Sequence, residues 1–169
     1  DRENLYAIVS HKDREADVPY QGHTATRFFR NNEKRIRRLA DDGRPILITG
    51  ESGVGKYQLG RLIFRSSPCL NRIFLFVNFY NPDTLRPEGS GEPLSEEEIL
   101  FGRTAGGASH PGLVELARQG TLLIMGIERL AAGVQEKLSG LAADGPGGGS
   151  SAAPPARVPL RLVVCVRED

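Results

Sequence analysis

A glycine-rich segment that ends in a lysine is the part of the sequence whose residue types and spacing could do chemistry. It reads G-E-S-G-V-G-K at positions 50–56 and fits the phosphate-binding pattern G-x-x-x-x-G-K, although Tyr57 stands where the pattern has Ser or Thr. The glycines let the main chain turn tightly and aim its N–H groups inward, and the lysine adds a full charge beside the β- and γ-phosphates. We therefore predict a nucleotide phosphate site here, with a glycine-rich turn as the alternative. The predicted nucleotide-binding residues are Gly50, Glu51, Ser52, Gly53, Val54, Gly55, Lys56 and Tyr57.

Two elements must position this loop, a strand before it and a helix after it. Residues 46–48 form a short apolar run of the kind that makes a buried parallel strand. Residues 57–64 place Leu59, Leu62 and Ile63 on one face of a helix. The positive end of the helix dipole then lies beside the loop, which favours a bound anion.

Further apolar and amphipathic segments continue this alternation of strands and helices. Strands are predicted at 73–77, 121–125 and 160–166, and helices at 24 or 26 to 40, 95–101, 113–119 and 131–143. The helix at 95–101 begins with a capping box from Ser95 to Glu98. The glycine-rich residues 102–112 are predicted to be a mobile loop. The predicted fold class is α/β, with a mostly parallel sheet between layers of helices.

The composition narrows the class of protein. The chain has 169 residues, which suits one domain, and its 22 basic and 21 acidic residues give a net charge of only +1. This balance argues against a general nucleic-acid-binding surface. There is no membrane-spanning apolar run and no signal peptide, and the lone Cys69 and Cys165 suit a reducing compartment as small buried hydrophobes. These features predict a cytoplasmic protein.

The helix predicted at 24–40 carries many basic residues on its polar face. They are Arg27, Arg30, Lys34, Arg35, Arg37 and Arg38. We favour a solvated face over a helix that contacts DNA or phosphate.

Four segments resemble, in the same order, the AAA+ domain of bacterial sigma-54-dependent transcription activators. They are residues 44–56, which look like the start of that domain; 98–102, similar to its E-x-E-L-F-G segment; 120–124, similar to its G-G-T-L-F-L strand; and 161–165, in the place of its R-I-I-A-A-T-N strand. The resemblance covers residues 18–169 as a partial AAA+ core with a flexible loop at 144–159. Residues 1–17 are then a linker or the tail of an upstream domain.

The resemblance implies a fold, ligands and partners. The fold is a three-layer P-loop NTPase core, whose lid subdomain is expected to be absent from this chain. The ligand is ATP or ADP, and magnesium accompanies it in the family. The implied partners are sigma-54 RNA polymerase and further copies of the same protein.

This chain departs from the family where hydrolysis takes place. In the family, the strand at 121–125 runs into an Asp-Glu pair, of which the Asp orders the magnesium and the Glu activates the attacking water. Met125 and Gly126 occupy these places here, and neither can bind a cation or accept a proton. Tyr57 replaces the metal-binding hydroxyl residue, and Glu128 is the next carboxylate along the chain. We therefore predict no catalytic residue and no metal site.

Two further departures concern the partner and the nucleotide sensor. The loop that contacts sigma-54 in the family reads G-A-F-T-G-A, but residues 103–110 read R-T-A-G-G-A-S-H, which argues against this contact. Arg167 stands in the place of the polar sensor residue at the end of the last strand. No DNA-binding helix-turn-helix and no membrane segment are visible in the sequence.

The predicted function is an ATP-binding regulatory domain with lost or very weak ATPase activity. One alternative is an active AAA+ ATPase that remodels sigma-54 RNA polymerase, with carboxylates supplied from elsewhere, such as a neighbouring subunit. The other alternative is a structural or interaction module that binds no nucleotide.

Overall fold

A parallel sheet covered by helices on both faces organises the part of the chain that the structure describes. The computed structural model describes residues 23–67, 73–81, 94–105, 108–118, 120–143 and 160–168. The strands are β1 (Ile46–Gly50), β2 (Phe74–Asn78), β3 (Gly102–Ala105), β4 (Ala108–Pro111), β5 (Thr121–Met125) and β6 (Arg161–Arg167). The helices are α1 (His23–Asp41), α2 (Lys56–Arg65), α3 (Glu96–Phe101), α4 (Leu113–Leu116) and α5 (Ala132–Ala143), with a 3₁₀ turn at Ile127–Arg129.

The main sheet has the strand order β1-β6-β5-β2, and every neighbouring pair in it is parallel. The register places Val163 of β6 between Ile46 of β1 and Leu123 of β5. The predicted α/β fold with a mostly parallel sheet is confirmed. The predicted linker at 1–17 and the predicted flexible loop at 144–159 lie outside the described residues.

The two central strands, β5 and β6, contribute residues to two apolar clusters, one on each face of the sheet. Both faces of these strands are covered, which is why their sequences are nearly continuous apolar runs. One cluster joins the sheet to α3, α4 and α5, and its helix residues include Leu100, Leu113, Val134 and Leu138. The other cluster joins the sheet to α1 and α2, and its helix residues include Ile36, Ala40 and Ile63.

Arg161 fixes the end of α1 to the start of β6. Its guanidinium donates to the main-chain carbonyls of Ala40 and Asp42, at 2.8 Å each, and also to that of Leu39. These carbonyls belong to the last turn of the helix and its exit, where no intrahelical donor remains. The basic residues of α1 are exposed, as the solvated-face interpretation expects.

Helix α3 begins at the predicted capping box. Ser95 Oγ accepts from the main-chain N–H of Glu98 at 3.2 Å, and the Glu98 carboxylate accepts from the N–H of Ser95 at 2.8 Å. The hydrogen bonds from Ser95, first among them the main-chain N–H, hold the pKa of Glu98 below its ordinary value. Both groups satisfy N–H donors that the first helical turn leaves open.

The mobile loop predicted at 102–112 is wrong, because these residues form an antiparallel hairpin of β3 and β4. Arg103 pairs with His110 and Thr104 with Ser109. Glycine and alanine are depleted in strands, so the composition of this segment did not indicate a strand. Helix α4 ends at residue 116, earlier than the predicted 119, and Ala117 is its C-cap. None of the helices in the described part of the chain combines the length and the hydropathy that a membrane span needs.

Candidate functional site

The glycine-rich loop lies at the carboxyl edge of the parallel sheet, between β1 and α2. This is the edge where open α/β sheets bind their ligands. Gly53 and Gly55 have φ angles of 80° and 90°, a left-handed conformation that other residues rarely adopt. Gly55 is the N-cap of α2. The main-chain N–H groups that follow it belong to the first turn of the helix and have no intrahelical acceptor.

Lys56 is the first residue of α2 and is buried, with 6% of its surface exposed. Its Nζ donates to the main-chain carbonyls of Gly50 and Glu51, at 2.7 Å each. The ammonium group is therefore held within the loop by the loop's own oxygens. Its charge also reaches Cys165 on β6: burial raises the pKa of that thiol to about 11, and Lys56 opposes the rise. Cys165 is a free, buried cysteine, as predicted.

The end of β6 is the next element at this edge. Arg167 pairs in register with Gly50, and the N–H of Glu168 donates to the carbonyl oxygen of Gly50 at 3.1 Å. Strand β6 lies between β1 and β5, so Arg167 lies between the loop and the residues that follow β5. Arg167 is exposed at this edge.

Met125 and Gly126 stand at the two positions where the family has its acidic pair, and neither has a side chain suited to binding magnesium. Met125 ends β5 and packs against the apolar cluster under α1 and α2. Gly126 has a φ angle of 82° and donates its N–H to the carbonyl of Cys165 at 3.2 Å. Within the described ranges, no group of three or more His, Cys, Asp or Glu residues could hold a metal ion.

Tyr57 does not supply a metal ligand either. Its ring packs against Phe76, with centroids 4.6 Å apart, and against Phe74, with centroids 6.5 Å apart. These rings lie on β2, so Tyr57 belongs to the packing between α2 and the sheet. Tyr57, the last of the predicted nucleotide-binding residues, therefore also contributes to the packing of α2 on the sheet.

A Tyr80–Glu128 pair lies at the same edge, and the sequence analysis did not find it. The Tyr80 hydroxyl donates to a carboxylate oxygen of Glu128, and the guanidinium of Arg129 lies 6.0 Å from the centre of the Tyr80 ring. Tyr80 follows β2 and Glu128 follows β5, and these strands are neighbours in the sheet. The sequence could have predicted this pair, because polar residues that follow adjacent parallel strands meet at the same edge of the sheet. The Glu128 carboxylate is thus hydrogen-bonded to the hydroxyl of Tyr80.

We expect Tyr80 to ionise at a higher pH than an ordinary tyrosine. Burial raises the pKa of Tyr80 to about 12, the hydrogen bond and charge of Glu128 add to the rise, and Arg167 opposes it. An unfolded tyrosine ionises near 10, so the neutral phenol stabilises the fold fully below about pH 10, and this contribution is lost as the pH rises through about 12. An alkaline titration followed by tyrosinate absorbance should contain one late phase.

Two substitutions identify that late phase. Tyr80→Phe should remove it, and Glu128→Gln should move it to lower pH while leaving it above that of a free tyrosine. A wild-type titration in which every tyrosine ionises near pH 10 would contradict the Tyr80–Glu128 pair.

The comparisons with known proteins agree on one family. The family model described as the sigma-54 interaction domain matches residues 23–145. The response regulator protein FleR of Pseudomonas aeruginosa is 35% identical over 107 residues, which are 60% of this chain and 20% of FleR. The Nif-specific regulatory protein of Rhodobacter capsulatus is 31% identical over 140 residues, which are 80% of this chain and 23% of that protein. The chain thus spans about a fifth to a quarter of the length of these relatives.

A solved structure shares the fold. The crystal structure of NtrX from Brucella abortus in complex with ADP has a TM-score of 0.59 and 25% identity, and the match covers 83% of this chain and 30% of NtrX. Since the family model covers more than half of the sequence, this chain belongs to the sigma-54 interaction domain family, the AAA+ P-loop domain of sigma-54-dependent transcriptional activators.

Proposed function

We propose that this domain binds ATP or ADP at the loop of residues 50–57 and hydrolyses ATP very slowly or not at all. The nucleotide would then act as a regulatory ligand that stabilises or switches the domain. The observation that carries the proposal is that one edge of the sheet has the groups for phosphate binding but not the acidic groups for hydrolysis. The glycine loop, the start of α2 and Lys56 are in place, whereas Met125 and Gly126 stand where the acidic pair belongs.

Phosphate binding would use groups that the loop already presents. The first N–H groups of α2 and the positive end of its dipole favour an anion in front of Gly55. Lys56 would exchange its bonds to the carbonyls of Gly50 and Glu51 for bonds to phosphate oxygens. The ammonium group is ionised in both arrangements, but only phosphate oxygens carry an opposite charge, which favours this exchange. The crystal structure of NtrX in complex with ADP supports nucleotide binding by a protein of similar fold.

Hydrolysis lacks its usual groups. In phosphoryl transfer the protein mainly positions the reactants and stabilises charge, and loss of a positioned acid or base costs about 10²- to 10⁴-fold in rate. Here Met125 and Gly126 replace the acidic pair, and Glu128 is bound to the hydroxyl of Tyr80. Magnesium is implied by the family, but a thioether, a bare glycine and a core-packed Tyr57 do not suit a hard cation that prefers oxygen ligands.

The family name implies contact with sigma-54, and we propose that this contact is weakened here. In the order of the sequence, the hairpin of β3 and β4 stands where the family has the loop that contacts sigma-54. Its paired residues include Arg103 with His110 and Thr104 with Ser109. We place the domain in the cytoplasm, where ATP and RNA polymerase are. Assembly with further copies of the protein, as the family implies, is part of the same proposal.

The proposal is tested by binding and turnover measured on the same intact protein. ATP and ADP should each give a titratable heat in calorimetry and raise the melting temperature, while phosphate release stays near the background rate. Steady hydrolysis would favour the active-ATPase alternative, with carboxylates from a neighbouring subunit. No heat and no stabilisation at millimolar nucleotide would favour the purely structural alternative.

A further inference from the structure

The residues at the positions where the family binds magnesium do not suit this cation. A bound triphosphate nevertheless needs positive charge. Lys56 supplies one charge from the α2 side of the loop. Elsewhere in this fold class a divalent cation, held by a hydroxyl and a carboxylate, neutralises much of the rest. Met125 and Gly126 have no side-chain oxygen and Tyr57 packs against β2, so we look for further positive charge on another side chain at this edge.

Arg167 is placed to supply that charge. It ends β6, the strand between the glycine loop and the turn after β5, so a phosphate chain that extends from the loop across the sheet would pass this strand end. Its register with Gly50 and the hydrogen bond from Glu168 N to Gly50 O, at 3.1 Å, fix its main chain against the first residue of the loop. The position is therefore set by strand pairing.

The alternation along β6 puts Arg167 on the Lys56 side of the sheet. Side chains two residues apart in a strand share a face, so Arg167 lies on the face of Cys165 and Val163. Both of these residues belong to the cluster under α1 and α2, and the Cys165 thiol senses the charge of Lys56. Arg167 is exposed at this edge, and its charge also acts on the Tyr80 hydroxyl, which follows β2.

We propose, resting on the nucleotide binding proposed above, that this site takes a nucleoside triphosphate without a divalent cation, and that the Arg167 guanidinium supplies the positive charge beside the terminal phosphate. An arginine suits this role because it stays charged at any physiological pH. Its planar fork can also bind two phosphate oxygens at once.

The test measures ATP and ADP affinity of the intact protein by calorimetry, in magnesium and in excess EDTA. Wild-type affinity for ATP should agree within about threefold between the two conditions, because a charge-assisted bidentate contact replaces the ion. Arg167→Gln should lower ATP affinity in EDTA about tenfold or more, and ADP affinity by less, because ADP lacks the terminal phosphate. Arg167→Lys should restore part of the loss.

The matched control is Arg65→Gln, which removes the same charge at the other end of α2. That position is about 13 Å along the helix from Lys56, and ATP affinity should stay at the wild-type value. Tight ATP binding only in magnesium would overturn the inference and leave the proposed nucleotide function standing. Unchanged ATP affinity in Arg167→Gln would also overturn it, and no binding in either condition would overturn both proposals.

Discussion

Replacing Lys56 with alanine should lower the affinity for ATP by about a hundredfold or more, because about 3 kcal/mol of charge-assisted bonding to phosphate is lost. The melting temperature of the variant should then rise little or not at all when ATP is added. Calorimetry and thermal unfolding, each with and without nucleotide, measure the two effects on the same protein.

Lys56 also has a structural role that the experiment must separate from binding. Its Nζ bonds to Gly50 and Glu51 hold the loop closed without ligand, and its stem is buried. We expect the alanine variant to lose about 1–2 kcal/mol of unfolding free energy through these contacts, although Glu168 N still donates to Gly50 O. Lys56→Met keeps most of the buried stem but loses the charge and the Nζ donors, so it should melt closer to wild type than the alanine variant and still fail to bind ATP.

A surface lysine provides the control for charge. Lys34 is exposed on α1, and Lys34→Ala should bind ATP with wild-type affinity. If both Lys56 variants keep the full ATP-induced rise in melting temperature, the phosphate-binding role of the loop is wrong.

Leu123→Ala should have the largest effect on stability, about 3 kcal/mol of unfolding free energy. Leu123 lies in the middle of β5, has 0% of its surface exposed and belongs to the cluster under α1 and α2. Leu47→Ala is the matched control, because that leucine is also in a strand but is 65% exposed, and we expect a change within about 0.5 kcal/mol. Urea unfolding of this domain measures both.

A second substitution tests whether the space left by Leu123 is the one that the structure shows. A methyl group added at Gly60 of α2 would lie 2.3 Å from Leu123 Cδ1, so Gly60→Ala alone should destabilise the domain. In the Leu123→Ala background that atom is gone, and the new methyl meets Val163 Cγ1 at 3.4 Å, an ordinary contact. The double variant should therefore regain about 1 kcal/mol over Leu123→Ala, from packing and helix propensity together. Simple additivity of the two losses would contradict this packing.

The sequence was sufficient for the sheet and the loop because both have strong local signals. The apolar runs of β5 and β6 can only be strands buried on both faces, and the glycine spacing before Lys56 permits few structures. The bounds of β5 are the predicted ones, whereas those of β1, β2 and β6 differ by a residue or two, since hydrogen bonding with neighbours decides where a strand stops.

The features that the sequence did not predict depend on contacts distant along the chain. Tyr80 meets Glu128 only because β2 and β5 are neighbours, and Arg161 meets the end of α1 only after β6 has joined the sheet. The hairpin at 102–111 lacked the alternating apolar pattern that identifies a strand. The ring contacts of Tyr57 were not predicted for the same reason, since its aromatic partners lie on another element.

The left-handed backbone at Gly126 makes the loss of the acidic pair difficult to reverse. A side chain there is strained by its φ angle of 82°, which costs about 1 kcal/mol or more outside glycine. Its first carbon would also lie 3.3 Å from the main-chain nitrogen of Tyr80. A carboxylate at position 126 would thus be added to a turn shaped for a residue without a side chain. Substitution alone is therefore not enough to restore an acidic pair here, because the main chain of the turn must also change.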